Sequence, residues 1–235
     1  MSVLPPLDRL KRVALDFFFP RWCLGCGREG DFICPSCSRS LPHLYPPICP
    51  RCGLPQLNGV LCPACIGWPA AIDGMRAPFR FEGAVREAVH QLKYRNLRAA
   101  TGLFAAWLAD YLARYPLPGD VLVPVPLHPR RLRERGYNQS ALLARELGKV
   151  TGLPVSDNVL VRTVNTSPQA RAASVAARRR NVAGSFASRD RQLEGLSVLL
   201  IDDVATTGST LNDCARALKA GGAVSVWGLT LAREV

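Results

Sequence analysis

The chain has 235 residues and a formal net charge of +12, and 48% of its residues are hydrophobic. This length allows one full domain and a small accessory module, and the lack of any run of about 18 uncharged apolar residues argues against a membrane span. Arginine supplies most of the positive charge, which suits a nucleic acid or a polyphosphate ligand, although a codon bias towards arginine would give the same balance.

The first segment, residues 1–20, predicts an amphipathic helix. Its stretch LDRLKRVALDFFFP is interrupted by Asp8 and Asp16, its apolar part is short, and no small-residue cleavage site follows it. We interpret it as a helix that packs on the protein rather than as a secretory signal, with a helix lying on a membrane surface as the alternative. Without a signal or a span, a cytoplasmic location is expected.

Cysteine pairs dominate residues 21–68, which we interpret as a double zinc ribbon. Eight of the nine cysteines form four CxxC knuckles, CLGC at 23–26, CPSC at 34–37, CPRC at 49–52 and CPAC at 62–65. Two intervening residues let both sulfur atoms of a tight turn face one metal ion, and two knuckles supply the four thiolates of a tetrahedral zinc site. An even number of cysteines also allows disulfides, but the absence of a secretory signal and the repeated knuckles favour zinc.

The spacing favours sequential pairing of the knuckles, with an interleaved arrangement as the alternative. The first tetrad is then Cys23, Cys26, Cys34 and Cys37, and the second tetrad is Cys49, Cys52, Cys62 and Cys65. A site closed by four thiolates leaves no position for a substrate, so both Zn²⁺ ions are expected to be structural. The ninth cysteine, Cys214, stands at helical spacing beside Leu211 and Leu218 and is expected to be a packed core thiol.

We assign residues 69–235 to an α/β domain, and the stretch GWPAAIDG, residues 67–74, is expected to link it to the zinc module. MRAPFRFEG predicts a strand or short hairpin, and VAARRRNVAGSF predicts a basic helix followed by a strand. Helices are predicted over 83–94, 101–113 and 138–150 and in STLNDCARALKAGGA, and strands in VLVPVPL, LSVLLID and VSVWGLTLA. This alternation from about residue 120 predicts right-handed crossovers and a mostly parallel sheet, whose ligands bind beyond the carboxyl ends of the strands.

The stretch SVLLIDDVATTGSTL, residues 197–211, carries a chemical signal at such an end. An apolar strand stops at Asp202 and Asp203, and a small, hydroxyl-rich turn leads into a helix. Unpaired amides at a helix N-terminus suit a phosphate, and two acids beside it suit the vicinal hydroxyls of a ribose. A simple helix cap with solvated acids is the alternative. A nucleotide-hydrolase metal site would need a GxxxxGK[ST] loop, and ELGKVTG lacks that spacing.

The stretch VLLIDDVATTGSTL resembles the phosphoribosyl pyrophosphate (PRPP) motif of the type I phosphoribosyltransferases. The rest of the chain resembles the ComF family, the ComFC/GntX-like competence proteins, in which cysteine knuckles precede the transferase domain. The segments that carry this resemblance are FFFPRWCLGC, HQLKYRN at 90–96, LVPVPLHPRRLRERGYNQS at 122–140 and SPQARAASVAARRRNVAGSF at 167–186. The implied fold is a parallel-sheet type I phosphoribosyltransferase fold of the α/β class, preceded by a double zinc ribbon.

The resemblance also implies roles for individual residues. Asp202 and Asp203 would hold the two ribose hydroxyls of PRPP, and Mg²⁺ would bridge the leaving pyrophosphate to the sugar. Arg130 or Arg131 would neutralise charge on the leaving group, with Arg131 taken as the catalytic one, unless PLHPRR is an ordinary Pro-rich turn. The other residues expected to contact PRPP are Val204, Ala205, Thr206, Thr207, Gly208, Ser209, Thr210, Pro126, Leu127 and His128.

A further segment, residues 162–181, stands where related enzymes carry a mobile lid, although a basic solvated helix is the alternative. The lid candidates are Gln169, Arg171, Arg178 and Asn181. His128 is a weak candidate for proton transfer, since a lone histidine after a leucine more often has a structural hydrogen bond. Only the resemblance places Lys93 and Tyr94 near the site.

The implied activity is Mg²⁺-dependent transfer of a phosphoribosyl group from PRPP to an unidentified acceptor, linked to DNA uptake in natural transformation. The alternative is a non-catalytic protein that binds PRPP and single-stranded DNA and works with other competence proteins. The net charge and the zinc ribbons are compatible with DNA binding. The aromatic content, however, is only 7% and shows no evenly spaced row of rings for base stacking.

Overall fold

The computed structural model describes residues 21–164 and 184–235. The helix expected over residues 1–20 therefore lies outside the described residues, as does most of the candidate lid. The helices are α1 (Pro35–Arg39), α2 (Gly83–Tyr94), α3 (Thr101–Arg114), α4 (Pro129–Arg135), α5 (Gln139–Thr151) and α6 (Ser209–Ala220), with a 3₁₀ turn at Arg98–Ala100. The strands are β1 (Gly74–Arg76), β2 (Phe79–Arg80), β3 (Val121–Pro124), β4 (Leu160–Arg162), β5 (Phe186–Ser188), β6 (Ser197–Ala205) and β7 (Ser225–Arg233).

The cysteine-rich segment forms two similar turns. Antiparallel bridges join Trp22 to Glu29 and Ile48 to Pro55, so that each bridge closes the chain around one knuckle. In both turns a backbone amide donates to the first cysteine of the set, from Cys34 to the Sγ atom of Cys23 and from Cys62 to that of Cys49. Because the same local bonds occur twice, one short segment forms two metal sites with the same arrangement of ligands.

The predicted parallel sheet is confirmed. Its strands lie in the order β1-β7-β6-β3, with β2 also pairing with β7, and every pair in it is parallel. β6 and β7 form the centre of the sheet over eight paired positions, from Ser197 opposite Ser225 to Ala205 opposite Arg233. Gly74 fits beside this centre because a side chain there would collide with the ring of Trp227.

Two apolar clusters cover the two faces of the sheet. Along β6 the buried side chains alternate, so that Val198 and Leu200 belong to one cluster and Leu199 and Ile201 to the other. The first cluster includes α6 and the four buried cysteines of the second tetrad. The second cluster includes α2, α3 and α5. The second tetrad is therefore packed into the core of the α/β domain.

Most predicted elements are confirmed, including the helices over 83–94, 101–113 and 138–150. The segment MRAPFRFEG is not a hairpin, because β1 and β2 both run parallel to β7. The strand β6 does not stop at its two acids, since Val204 and Ala205 continue to pair with β7. The pattern also missed α4, and it missed β4, which pairs antiparallel with β5.

No helix within residues 21–164 and 184–235 has the length and hydropathy that crossing a membrane requires.

Candidate functional site

The two cysteine tetrads are each arranged for a tetrahedral ion. The sulfur atoms of Cys23, Cys26, Cys34 and Cys37 lie within 4.8 Å of one another, and so do those of Cys49, Cys52, Cys62 and Cys65. The sulfur atoms of Cys52 and Cys62 are 3.6 Å apart, far longer than a disulfide bond of about 2 Å and close to the tetrahedral edge of roughly 3.8 Å that Zn–S bonds imply. This is the sequential grouping that the spacing favours.

The carboxylate of Asp203 lies at the end of the central strands and is almost completely buried. The side chain is 3% exposed, and its Oδ1 atom is 3.0 Å from the Nζ atom of Lys93, the penultimate residue of α2. Burial lowers the pKa of Lys93, but the charges of Asp203 and Asp202 outweigh it and raise that pKa above 10.5, so the lysine is a cation. The Oδ2 atom is buried and has no hydrogen-bond partner within the described part of the chain.

The neighbouring carboxylate of Asp202 is half-buried and points to α5. Its Oδ1 atom accepts hydrogen bonds from the Oγ atom of Ser140 at 2.8 Å and from the amide of Asp203 at 2.9 Å. Burial, followed by the negative charge of Asp203, raises the pKa of Asp202 to about 7, although Lys93 and Ser140 oppose the shift. Two adjacent acids thus differ in their environments, one paired with a cation and one held by a hydroxyl group.

The loop that follows β6 is shaped to receive an anion. Gly208 has a φ of 76° and caps α6, and Ser209 donates its amide to the Oγ1 atom of Thr207 at 3.3 Å. In the described part of the chain no backbone acceptor meets the amides of Thr206, Thr207 and Gly208. These free donors lie at the positive end of a 12-residue helix, where a phosphate binds favourably.

The segment before α5 makes hydrogen bonds to several elements around the two acids. Asn138 caps the helix by accepting from the amide of Ser140 at 3.0 Å, and its Nδ2 atom donates to the carbonyl of Val125 at 3.0 Å. The buried hydroxyl of Tyr137 donates to the carbonyl of Leu92, next to Lys93. One short stretch, YNQS, therefore connects Lys93 and Asp202 to the end of β3.

The predicted arginine segment forms a helix rather than a turn. The Nδ1 atom of His128 accepts from the amide of Arg130, so the histidine has the structural role of capping α4. Arg130 is exposed and pairs with Glu134 at 2.9 Å. Arg131 is half-buried, and its charge lowers the pKa of Arg162 in addition to the effect of burial, whereas the charge of Asp202 opposes the shift. Arg131 thus belongs to the same electrostatic neighbourhood as Asp202, while Arg130 has another partner.

Comparison with known proteins supplies independent information on both parts of the chain. The family model "Double zinc ribbon domain" matches residues 14–66, and "Phosphoribosyl transferase domain" matches residues 132–233. Competence protein ComFC of Bacillus subtilis is 31% identical over 88% of this chain and 86% of its own length. The DNA utilization protein YhgH of Salmonella typhi is 34% identical over 83% and 88%, and competence protein F of Haemophilus influenzae is 30% identical over 92% and 99%.

The chain belongs to the ComF family. The resemblance stated from the motifs is thereby confirmed, as is the phosphoribosyltransferase-type fold behind a double zinc ribbon. A solved structure, the glutamine PRPP amidotransferase from B. subtilis, is 20% identical with a TM-score of 0.38 and covers 56% of this chain and 26% of that one. That similarity is too low to add to the assignment.

In this ComF-family chain the structure brings together some of the residues named from the sequence and not others. Asp202, Asp203 and residues 204–210 lie at one end of β6, and the charge of Arg131, on α4, acts on Arg162 as the charge of Asp202 does. Pro126 and Leu127 are half-buried in the connection between β3 and α4. The lid candidates Gln169, Arg171, Arg178 and Asn181 lie outside the described residues.

Two residues of the site were missed by the sequence reasoning, and one was suggested only by resemblance. Ser140 donates a hydrogen bond to Asp202, and the charge of Asp202 opposes the lowering of the pKa of Arg162. Ser140 ends the segment 122–140 and Arg162 begins the candidate lid, but neither was named individually from the sequence. Lys93, which pairs with Asp203, was placed near the site by the resemblance alone. The local signal for Ser140 was its position: it is a polar residue in the first turn of a helix, just after the N-cap.

Proposed function

We propose that this chain binds PRPP at the end of β6 and transfers its phosphoribosyl group, with Mg²⁺, to an acceptor that awaits identification. The observation that carries the proposal is the Oδ2 atom of Asp203, which is buried and has no partner within the described residues. A buried carboxylate oxygen without a donor is costly, and a sugar hydroxyl would satisfy it. The diol of a ribose presents two such donors to Asp203 and Asp202.

The surrounding groups fit the remaining parts of that ligand. The free amides of Thr206, Thr207 and Gly208 suit the terminal phosphate of the sugar. Arg131 and Arg162 provide positive charge on the side of Asp202, where it would favour a departing pyrophosphate. Carboxylate oxygens are ligands that Mg²⁺ accepts, and the ion would neutralise the pyrophosphate when it binds with PRPP. The acids would hold the ribose while positive charge develops at its anomeric carbon.

The test is calorimetric titration of the zinc-loaded protein with Mg²⁺-PRPP, with Asp203→Asn as the variant. We expect binding by the wild type and a loss of about tenfold or more in affinity in the variant, since the amide cannot accept at both atoms of the carboxyl group. Release of pyrophosphate in the presence of a panel of nucleobases then distinguishes turnover from binding. If the wild type gives no heat with Mg²⁺-PRPP, the proposed function is wrong.

A second candidate is a binding protein for single-stranded DNA that retains the PRPP site without turnover. It is favoured by the net charge of +12 and by relatives named competence and DNA utilization proteins. Under this candidate, retention of an oligonucleotide falls with added salt and is unaffected by Asp203→Asn. Pyrophosphate release that depends on a base and disappears in Asp203→Asn would favour the transferase instead.

A further inference from the structure

The second zinc tetrad is connected to the phosphate loop by one buried side chain. Arg233, at the end of β7, is 4% exposed. Its Nε atom donates to the carbonyl of Cys52 at 3.0 Å, and its Nη1 atom donates to the carbonyl of Thr206. A metal-ligand knuckle and the first residue of the loop thus share a single guanidinium group, whose planar shape fixes their relative position.

A second connection between the second tetrad and the loop runs through the residues that pack against Gly208. A Cβ atom at Gly208 would lie 2.6 Å from the sulfur atom of Met75 and 3.7 Å from the ring of Trp68. The backbones of both residues are held by Arg51, the residue before Cys52. Its Nη1 atom donates to the carbonyls of Cys65 and Trp68, and its own carbonyl accepts from the amide of Met75 at 2.7 Å.

The first tetrad makes different contacts. A Cβ atom at Gly25, within its first knuckle, would lie 3.5 Å from the Cβ atom of Ala84 at the start of α2. Lys93 lies nine residues further along that helix, which corresponds to about 13 Å of helix length. The hydrogen bonds of the first tetrad's cysteine side chains join Cys34 to Cys23, Cys26 and Ser36, all within the first ribbon. The two zinc sites are therefore alike in chemistry but unequal in their relation to the candidate site.

We propose that the second tetrad is a structural part of the phosphate site, so that Zn²⁺ bound by Cys49, Cys52, Cys62 and Cys65 holds the Thr206–Gly208 loop in its binding geometry through Arg233. The proposal rests on the proposed function for the identity of the ligand. Arg233 is on this view a positioning residue. Loss of the metal frees the knuckle at Cys52, the guanidinium loses one of its two anchors, and the carbonyl of Thr206 loses its fixed donor. The loop amides then no longer converge on one anion.

The experiment compares two arginines that both join the second ribbon to the sheet, the buried Arg233 and the half-buried Arg76. Arg233→Met removes the bridge to the loop. Arg76→Met is the matched control, because the Nη1 atom of Arg76 donates to the carbonyls of Pro50 and Met75 and makes no bond to the loop. Zinc content is measured for each variant, and both are expected to retain two ions. Hydrogen exchange is followed by mass spectrometry on the peptide 204–212, in which the amide of Ser209 donates to Thr207 and that of Asn212 to the carbonyl of Gly208, and Mg²⁺-PRPP affinity is measured by calorimetry.

We expect exchange of these bonded amides to accelerate about tenfold in Arg233→Met, with affinity for PRPP falling by a similar factor, and both to change less than about twofold in Arg76→Met. Equal behaviour of the two variants would overturn the proposal. The exchange measurement needs no ligand, so it judges the coupling even if the wild type fails to bind PRPP, in which case only the proposed function fails.

Cysteine variants test the inequality of the two sites directly. Cys62→Ser and Cys26→Ser each weaken one tetrad, and the loop should exchange faster only in Cys62→Ser. A loop that responds equally to the two substitutions would contradict the proposal. Where Cys62→Ser does not fold, the comparison of Arg233→Met with Arg76→Met decides the matter alone.

Discussion

The ion pair between Lys93 and Asp203 provides a quantitative test of the site. Replacing Lys93 by Met keeps the packing of its stem but leaves the carboxylate, only 3% exposed, without its cation. At 3.0 Å and an effective dielectric of about 20, the pair attracts by roughly 5 kcal/mol before desolvation is counted. Because the lysine side chain is 25% exposed, we expect a net loss of about 2–3 kcal/mol in the free energy of unfolding.

The assay is urea denaturation of the zinc-loaded protein, performed on Lys93→Met, Asp203→Asn and the double variant. Replacing Asp203 by Asn removes the stranded charge, so the lysine substitution should cost less than about 1 kcal/mol in that background. Lys219→Met is the control, since its pair with Asp73 is about one-third exposed on both sides and should contribute at most about 1 kcal/mol. Additivity of the two substitutions within about 0.5 kcal/mol would refute the reasoning.

Three further predictions follow from the surroundings of this pair. Because the pKa of Asp202 is raised to about 7, the folded state holds a proton between about pH 4 and 7 that the unfolded state lacks. The free energy of unfolding should therefore fall by on the order of 2–4 kcal/mol as the pH rises through that range, and this fall should be absent in Asp202→Asn. Thermal unfolding at several pH values checks both expectations. Gly208→Ala should destabilise the protein by about 2–4 kcal/mol in urea titrations, because the new methyl group adds a collision with Met75 to the cost of a positive φ. Gly152→Ala is the control: its φ is 75° and the space around it is open, so it should cost only about 1–2 kcal/mol. Asp213→Asn should cost about 2 kcal/mol by the same measurement, since its carboxylate accepts from two backbone amides ahead of β5; a loss below about 0.5 kcal/mol would contradict this role.

The sequence predicts those features of this fold that depend on local periodicity. The alternation of apolar runs and helical spacing was sufficient for the parallel sheet, and the CxxC spacing was sufficient for the grouping of the tetrads. The tight turn at Gly208 was also predictable, because a glycine between hydroxyl residues at a strand–helix junction readily adopts the positive φ that the turn has. In each case the residues that determine the feature are neighbours in the chain.

The partners of the two acids were not predictable in this way. Lys93 and Ser140 meet Asp203 and Asp202 only after two helices pack on the sheet, and nothing near them in the sequence identifies the contact. Arg233 ends an apolar strand in the position of an ordinary solvated charge, and only the tertiary structure buries it. Helix α4 is different, since a cap at His128, a proline after it and Gly136 at its end were available signals, although no helix was predicted there.

The bond between Arg233 and Cys52 joins residues separated by 181 positions. Contacts of such sequence separation form late in folding, because most of the chain has to be ordered before the two groups can meet. The metal-binding turns precede the sheet in the chain, so their cysteines can meet before Arg233 has a sheet to pack in. The loop at Thr206 therefore depends on two segments that lie far apart in the chain, and its geometry becomes fixed only once the sheet has assembled.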